Sequence, residues 1–124
     1  MQGKPACEKQ YDPKLKMDVY TNVDQWPEYP DGIEKMYAYI KKNMISAIEA
    51  DGQKKLIIEF IIGTKGQIID EKIIDREPSA YTDLEKNIIK KVRVMPHWKP
   101  AKCNNSIVPF RYRVIANISM SLGL

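Results

Sequence analysis

The chain predicts an α+β domain, with two helices packed on one face of a three-stranded antiparallel sheet in the order α-β-β-α-β. Three observations lead there. Between Ile33 and Ile48 the apolar residues recur at helical spacing. From Leu56 to Asp75 two apolar, β-branched runs flank a glycine-bounded turn. From Val108 to Met120 apolar residues fall on every second position.

The first helix carries Ile33, Met36, Tyr37, Ile40, Met44 and Ile48 as one stripe, with Glu34, Lys35, Lys41 and Lys42 opposite. Asp31 with Glu34 three positions on suits a capping box, and Asp51-Gly52 suits a helix end. Leu56 to Ile62 is nearly all apolar, as a central strand requires. Gly63-Thr64-Lys65-Gly66 then makes a short hairpin loop. In the returning strand, Gln67 to Asp75, Ile68 and Ile73 stand an odd number of positions apart. A bulge near Asp70–Lys72 would bring them to one face. Pro78 ends that strand, and Thr82-Asp83-Leu84-Glu85 reads as a capping box opening the second helix. Its buried stripe is expected to be Leu84, Ile88, Val92 and Met95, and Pro96 stops it. In the last strand Val108, Phe110, Tyr112, Val114, Ala116, Ile118 and Met120 point to the core. Arg111, Arg113, Asn117 and Ser119 point away. Two helices over one face would bury every one of these stripes.

Before the first helix the pattern is weaker. Residues 1–18 are polar, with Pro5 and Pro13, and read as an extended arm ahead of one domain over 19–122. Met17, Val19, Tyr20 and Val23 suit a short strand or a segment crossing the core. In Trp26-Pro27-Glu28-Tyr29-Pro30-Asp31-Gly32 the prolines favour extended backbone, with Trp26 and Tyr29 as packing pegs.

Composition narrows the function. The 124 residues suit one domain burying roughly two-thirds of its unfolded surface. The net charge of +4 is dispersed along the chain, a weak lean toward acidic partners rather than a nucleic-acid footprint. No apolar run approaches the ~20 residues of a membrane span, and no secretory h-region opens the chain. A cytoplasmic protein, or a mature form that has lost its leader, is expected. Cys7 and Cys103 form no CxxC pair, and His97 is the only histidine, which argues against a zinc site. In an oxidising compartment the two cysteines can bridge; otherwise they are separate thiols.

Catalytic signatures are missing. Any Ser/His/Asp arrangement would have to run through His97, which sits between Pro96 and Trp98 in a segment suited to packing. Glu59, Asp70, Glu71 and Asp75 are interleaved with Lys72 and Arg76 and read as surface charge. Gly63–Gly66 joins two strands, so it fails the context of a phosphate loop. Phe110 and Tyr112 could stack bases in a basic RNA-binding domain, although their alternation with Val108 and Val114 favours the core. No enzyme activity and no cofactor is expected.

What remains is the last strand. Pro109 lacks the N–H a central strand donates, so the strand reads as a sheet edge. Met95-Pro96-His97-Trp98-Lys99-Pro100 stiffens the backbone ahead of it. Such an edge can capture an extended peptide by β-augmentation, with Arg111 and Arg113 holding acidic groups. It can equally be covered by the N-terminal arm, or serve as a structural dimerisation edge.

These pieces resemble, in order, the C-terminal domain of the TonB energy-transducer family. The matching segments are Val23 to Gly32, Tyr39 to Met44, Lys65 to Asp70, Met95 to Pro100 and Val108 to Tyr112. The resemblance implies a periplasmic or secreted domain with two helices on a three-stranded sheet. It also implies Pro30, Gly32, Met95, Pro96, Trp98 and Pro100 as the structural signature. The implied partner is an extended segment of an outer-membrane receptor or other envelope protein. That segment would pair with Phe110, Arg111, Tyr112, Arg113, Val114, Ile115 and Ala116. Asp31 stands where the family commonly has a second glycine, and Ile45-Ser46 where it has Tyr-Pro. No anchor or proline-rich spacer is read in the chain, so the resemblance implies either a cut-out of a larger transducer or a freestanding secreted relative that uses the fold to bind.

Overall fold

The computed structural model describes residues 7–51 and 55–117. Seven strands and two α-helices follow in the order β1 (Glu8–Asp12), β2 (Met17–Asn22), α1 (Ile33–Asp51), β3 (Lys55–Ile62), β4 (Ile68–Ile73), α2 (Asp83–Arg93), β5 (Ala101–Cys103), β6 (Ser106–Val108) and β7 (Phe110–Asn117), with a 3-10 turn at Pro78–Ala80. The class is α+β, but the sheet is mixed and five-stranded, ordered β1-β2-β7-β3-β4. The expected three-stranded antiparallel sheet is its β7-β3-β4 half. Among the described residues β5 and β6 make a separate hairpin.

Of the additional strands, β1 comes from the segment read as an arm, and β2 is the short strand that Met17, Val19 and Tyr20 suited. Residues 8–12 and 17–22 pair antiparallel around a turn at Pro13–Lys16. Asp12 builds that turn: its Oδ1 accepts the N–H groups of Lys14 (2.9 Å) and Leu15 (3.0 Å). Four of the five residues of β1 are exposed, so the strand carries no apolar alternation that a sequence pattern could register.

Leu56, Ile58, Phe60 and Ile62 of β3 face the helices, joined in one core by Met36, Ile40, Met44 and Ile48 of α1 and by Ile88, Ile89 and Val92 of α2. The β4 bulge is where the odd isoleucine spacing requires it. Between the pairs Ile61↔Ile69 and Glu59↔Lys72, β4 has one residue more than β3, and Asp70 takes φ 54°. The capping box of α2 is complete: Thr82 Oγ1 accepts the Glu85 N–H, and Glu85 Oε1 accepts the Thr82 N–H.

Other details differ from expectation. Leu84 is exposed, and Glu85 is buried in its stead because its carboxylate also pairs with Arg76. Asp31 lies at φ 66°, outside cap geometry, and α1 begins after Gly32. Tyr29 is buried, as a peg should be, while Trp26 is 57% exposed. Gly52 and the residues from Ile118 onward, including Ile118, Ser119 and Met120, lie outside the described residues.

Trp98 is 2% exposed and ties the halves together. Its ring packs against Tyr29 (5.4 Å), Phe60 (5.7 Å) and Tyr112 (5.2 Å). Its backbone N–H donates to the Gly66 carbonyl at 2.9 Å. Gly66 has φ +80°, and a Cβ there would lie 1.9 Å from the Trp98 carbonyl oxygen. Only glycine admits this approach. Beyond Trp98, Lys99 pairs with Glu28 and Lys102 with Gln25, zipping the Trp26–Tyr29 segment along the stretch that leads to the last strand.

Candidate functional site

The last strand is not a full sheet edge. β3 covers one flank of β7 from Lys55↔Asn117 to Ile62↔Phe110. On the other flank β2 runs parallel to it, but the ladder is the single pair Tyr20↔Phe110, with the Tyr20 N–H donated to the Pro109 carbonyl at 2.9 Å. Beyond that pair no strand among the described residues lies alongside β7. The edge inferred from Pro109 is therefore corrected: the flank is closed at its start and open from there.

Main-chain groups alternate in direction along a strand. Since Pro109 aims its carbonyl at β2, Arg113 and Ile115 present their N–H and C=O groups to the same open flank. Tyr112 and Val114 turn theirs toward β3. The far side agrees, because Ile57, opposite Ile115, gives its carbonyl to the N–H of Ile74, just past the end of β4, instead of to β7.

Where β2 leaves β7 there is an opening of about 520 Å³. Trp26, Phe110 and Tyr112 form an aromatic wall, with Trp26 edge-on to Phe110 at 4.9 Å and to Tyr112 at 6.4 Å. Gln10, Thr21, Arg111 and Arg113 form a polar wall. Burial raises the Tyr112 hydroxyl above its ordinary value, so the phenol stays neutral.

The arginines are less free than their outward positions suggest. Arg111 donates to Glu59 at 2.8 Å and to Asp12 at 3.0 Å, and its side chain is 17% exposed. It fastens the β1–β2 hairpin to the sheet and is not available to hold an acidic peptide. Arg113 gives its Nε to Glu59 at 2.8 Å but keeps a 56% exposed side chain at the opening. Burial alone would push the Glu59 carboxyl up; hydrogen bonds from Arg113 and Arg111 outweigh it and hold the group below the ordinary carboxylate range. Phe110, Val114 and Ala116 are buried and, by the same alternation, turn their N–H and C=O groups to β3, so a strand on the open flank takes no hydrogen bond from them.

The aromatic pair offers no open stacking platform for bases. Phe110 is buried, and Tyr112 stacks on Phe60 at 5.7 Å with Trp98 beside it. His97 is exposed, with no place in the opening. Among the described residues no group of three His, Cys, Asp or Glu side chains is set to hold a metal ion, and no helix is long and apolar enough to cross a membrane. Cys7 and Cys103 are bridged, closing the alternative left open by their number.

Trp26 is the residue whose place sequence reasoning missed. Its flanking Pro27 and the aromatic Tyr29 gave it the look of a buried peg, and only tertiary pairing shows which of the two aromatics points out. Compared with protein-family models, curated proteins and solved structures, the chain matches none.

Proposed function

We propose that this protein is a non-enzymatic peptide-binding module that takes an extended partner segment alongside β7, in the manner its resemblance to TonB C-terminal domains implies. The observation that carries the reading is the open flank at Arg113 and Ile115, next to an opening with an aromatic and a polar wall. A strand added there gains main-chain hydrogen bonds from residues that give none to β3. Its side chains alternate between the two walls, apolar ones toward Trp26 and Tyr112, acidic or polar ones toward Arg113. The partner is an extended segment of an outer-membrane receptor or other envelope protein. The Cys7–Cys103 bridge supports an oxidising compartment such as the periplasm.

The substitution Ile115→Pro tests the reading, because it deletes an N–H aimed at the open flank and leaves the ladder to β3 in place. Peptides of seven residues alternating apolar and acidic side chains should bind the parent protein and not this variant. Equal binding to both sinks the proposal. Sedimentation of the protein alone covers the dimerisation alternative: a dimer that Ile115→Pro dissociates and peptide does not would assign the flank to a second copy.

A further inference from the structure

The β1–β2 hairpin already occupies the start of the flank that the proposed partner would use. Among the described residues, besides the Tyr20–Pro109 hydrogen bond, the hairpin is held by Asp12 on Arg111, by Lys14 on Asp70 at 2.6 Å, by the buried side chain of Val19 and by Tyr20 packed on the Val23–Ala101–Val108–Phe110 cluster. Its strand β2 continues into the stretch anchored by the Gln25–Lys102 pairing. The free end of β1 has a different hold. Cys7, the residue before the strand, is bonded to Cys103 at the end of β5, 96 positions along the chain. Both cysteines are half-buried, beside an exposed turn at Asn104–Asn105, within reach of a small thiol.

We propose that the β1–β2 hairpin is an intramolecular occupant of the docking flank and that the Cys7–Cys103 bridge locks it in place. The lock sets how much of β7 a partner can use. With the bridge closed, the flank begins after Phe110; with it open, the hairpin loosens from β7, still tethered where Val23 is buried and Asp24 accepts the Asn104 N–H, and exposes the flank from Pro109 onward. Opening requires a dithiol reductant. One of its thiolates attacks a sulfur of the bridge and its second thiol closes the mixed disulfide. The Sγ–Sγ bond is thus replaced by two thiols, while the reductant, giving up two electrons and two protons, becomes a cyclic disulfide. The consequence for binding rests on the reading of β7 as a docking strand; the motion of the hairpin does not.

The test follows amide hydrogen exchange in the full chain, oxidised and after dithiol treatment, and in the double variant Cys7→Ser, Cys103→Ser. Loss of the bridge lowers protection everywhere to some degree, so the ratio between sites is the readout. Protection at the Tyr20 amide should fall at least tenfold more than at Val114, which pairs with Ile58 in the centre of the sheet. A peptide copying this chain's own residues 17–23 should bind the reduced protein at least tenfold more tightly than the oxidised one. Tyr20→Pro removes the donor to Pro109 without breaking the disulfide, and should admit that peptide even in oxidised protein. Equal loss of protection at Tyr20 and Val114 would make the bridge a general staple and overturn the lock. So would indifference of the peptide to redox state. If alternating peptides fail at Arg113 and Ile115 while Tyr20 still loosens on reduction, the docking reading fails and the hairpin lock stands.

Discussion

Tyr20 gives its N–H to the carbonyl of Pro109, and this bond marks the boundary between the covered and the open parts of the last strand. Proline explains why the boundary falls there. Its missing N–H costs β7 nothing on a flank where only its carbonyl is used, and the strand proper starts one residue later.

Trp98→Ala should destabilise the fold by about 3–5 kcal/mol, the usual cost of truncating a fully buried large aromatic. Three rings lose their shared neighbour, and the strand that follows loses its anchor. Denaturant midpoints with an unchanged slope would check it.

Gly66→Ala should cost more than the about 1–3 kcal/mol of holding a non-glycine residue at positive φ, because its methyl also collides with the Trp98 main chain. The same collision should weaken the Gly66–Trp98 hydrogen bond. Faster exchange of the Trp98 amide, beyond that of β3, is the expected sign.

Trp26→Ala should separate binding from stability. The ring is more than half exposed, so its loss removes only edge contacts with Phe110 and Tyr112, about 1 kcal/mol. Peptide affinity should drop at least tenfold. Calorimetric titration alongside thermal unfolding reads both effects from one preparation.

Glu59 makes stability depend on acid pH. Its folded-state pKa is lowered, so the unfolded chain binds the proton more readily, and the stabilisation is present above the unfolded carboxylate value of about 4.3. It is lost as pH falls through the lower, folded value. Glu59→Gln should therefore be less stable than the parent at pH 7, and the gap should narrow steadily below about pH 4. A gap that stays constant down to pH 2.5 would show that the ion pairs with Arg111 and Arg113 contribute nothing.

Much of the fold was legible because its signals are local. The stripe of α1, the Thr82–Glu85 box and the odd spacing of Ile68 and Ile73 each fit within one window of sequence. The short strand at β2 was legible in part, but β1 was not, because Glu8–Asp12 is nearly all exposed and is held by backbone pairing and a bridge to a cysteine 96 positions away. Arg111 misled for a similar reason. Alternation points it outward, but Glu59 and Asp12, 52 and 99 residues distant, close over it. For Leu84 and Glu85 the helical stripe was off by one position, since a capping carboxylate with a cation partner can be buried where an apolar residue is expected. The site was half legible: the strand was found and a cover from the N-terminal segment stood as one alternative, but its partial extent and the wall supplied by Trp26 were not read.

The most direct test records backbone amide shifts and exchange while a peptide of alternating apolar and acidic residues is titrated into labelled, oxidised protein. Arg113 and Ile115 should shift and gain protection together, with Val114 between them unchanged because its N–H already serves β3. Perturbation confined to the outer edges at β1 or β4, with Arg113 and Ile115 silent, would contradict the account.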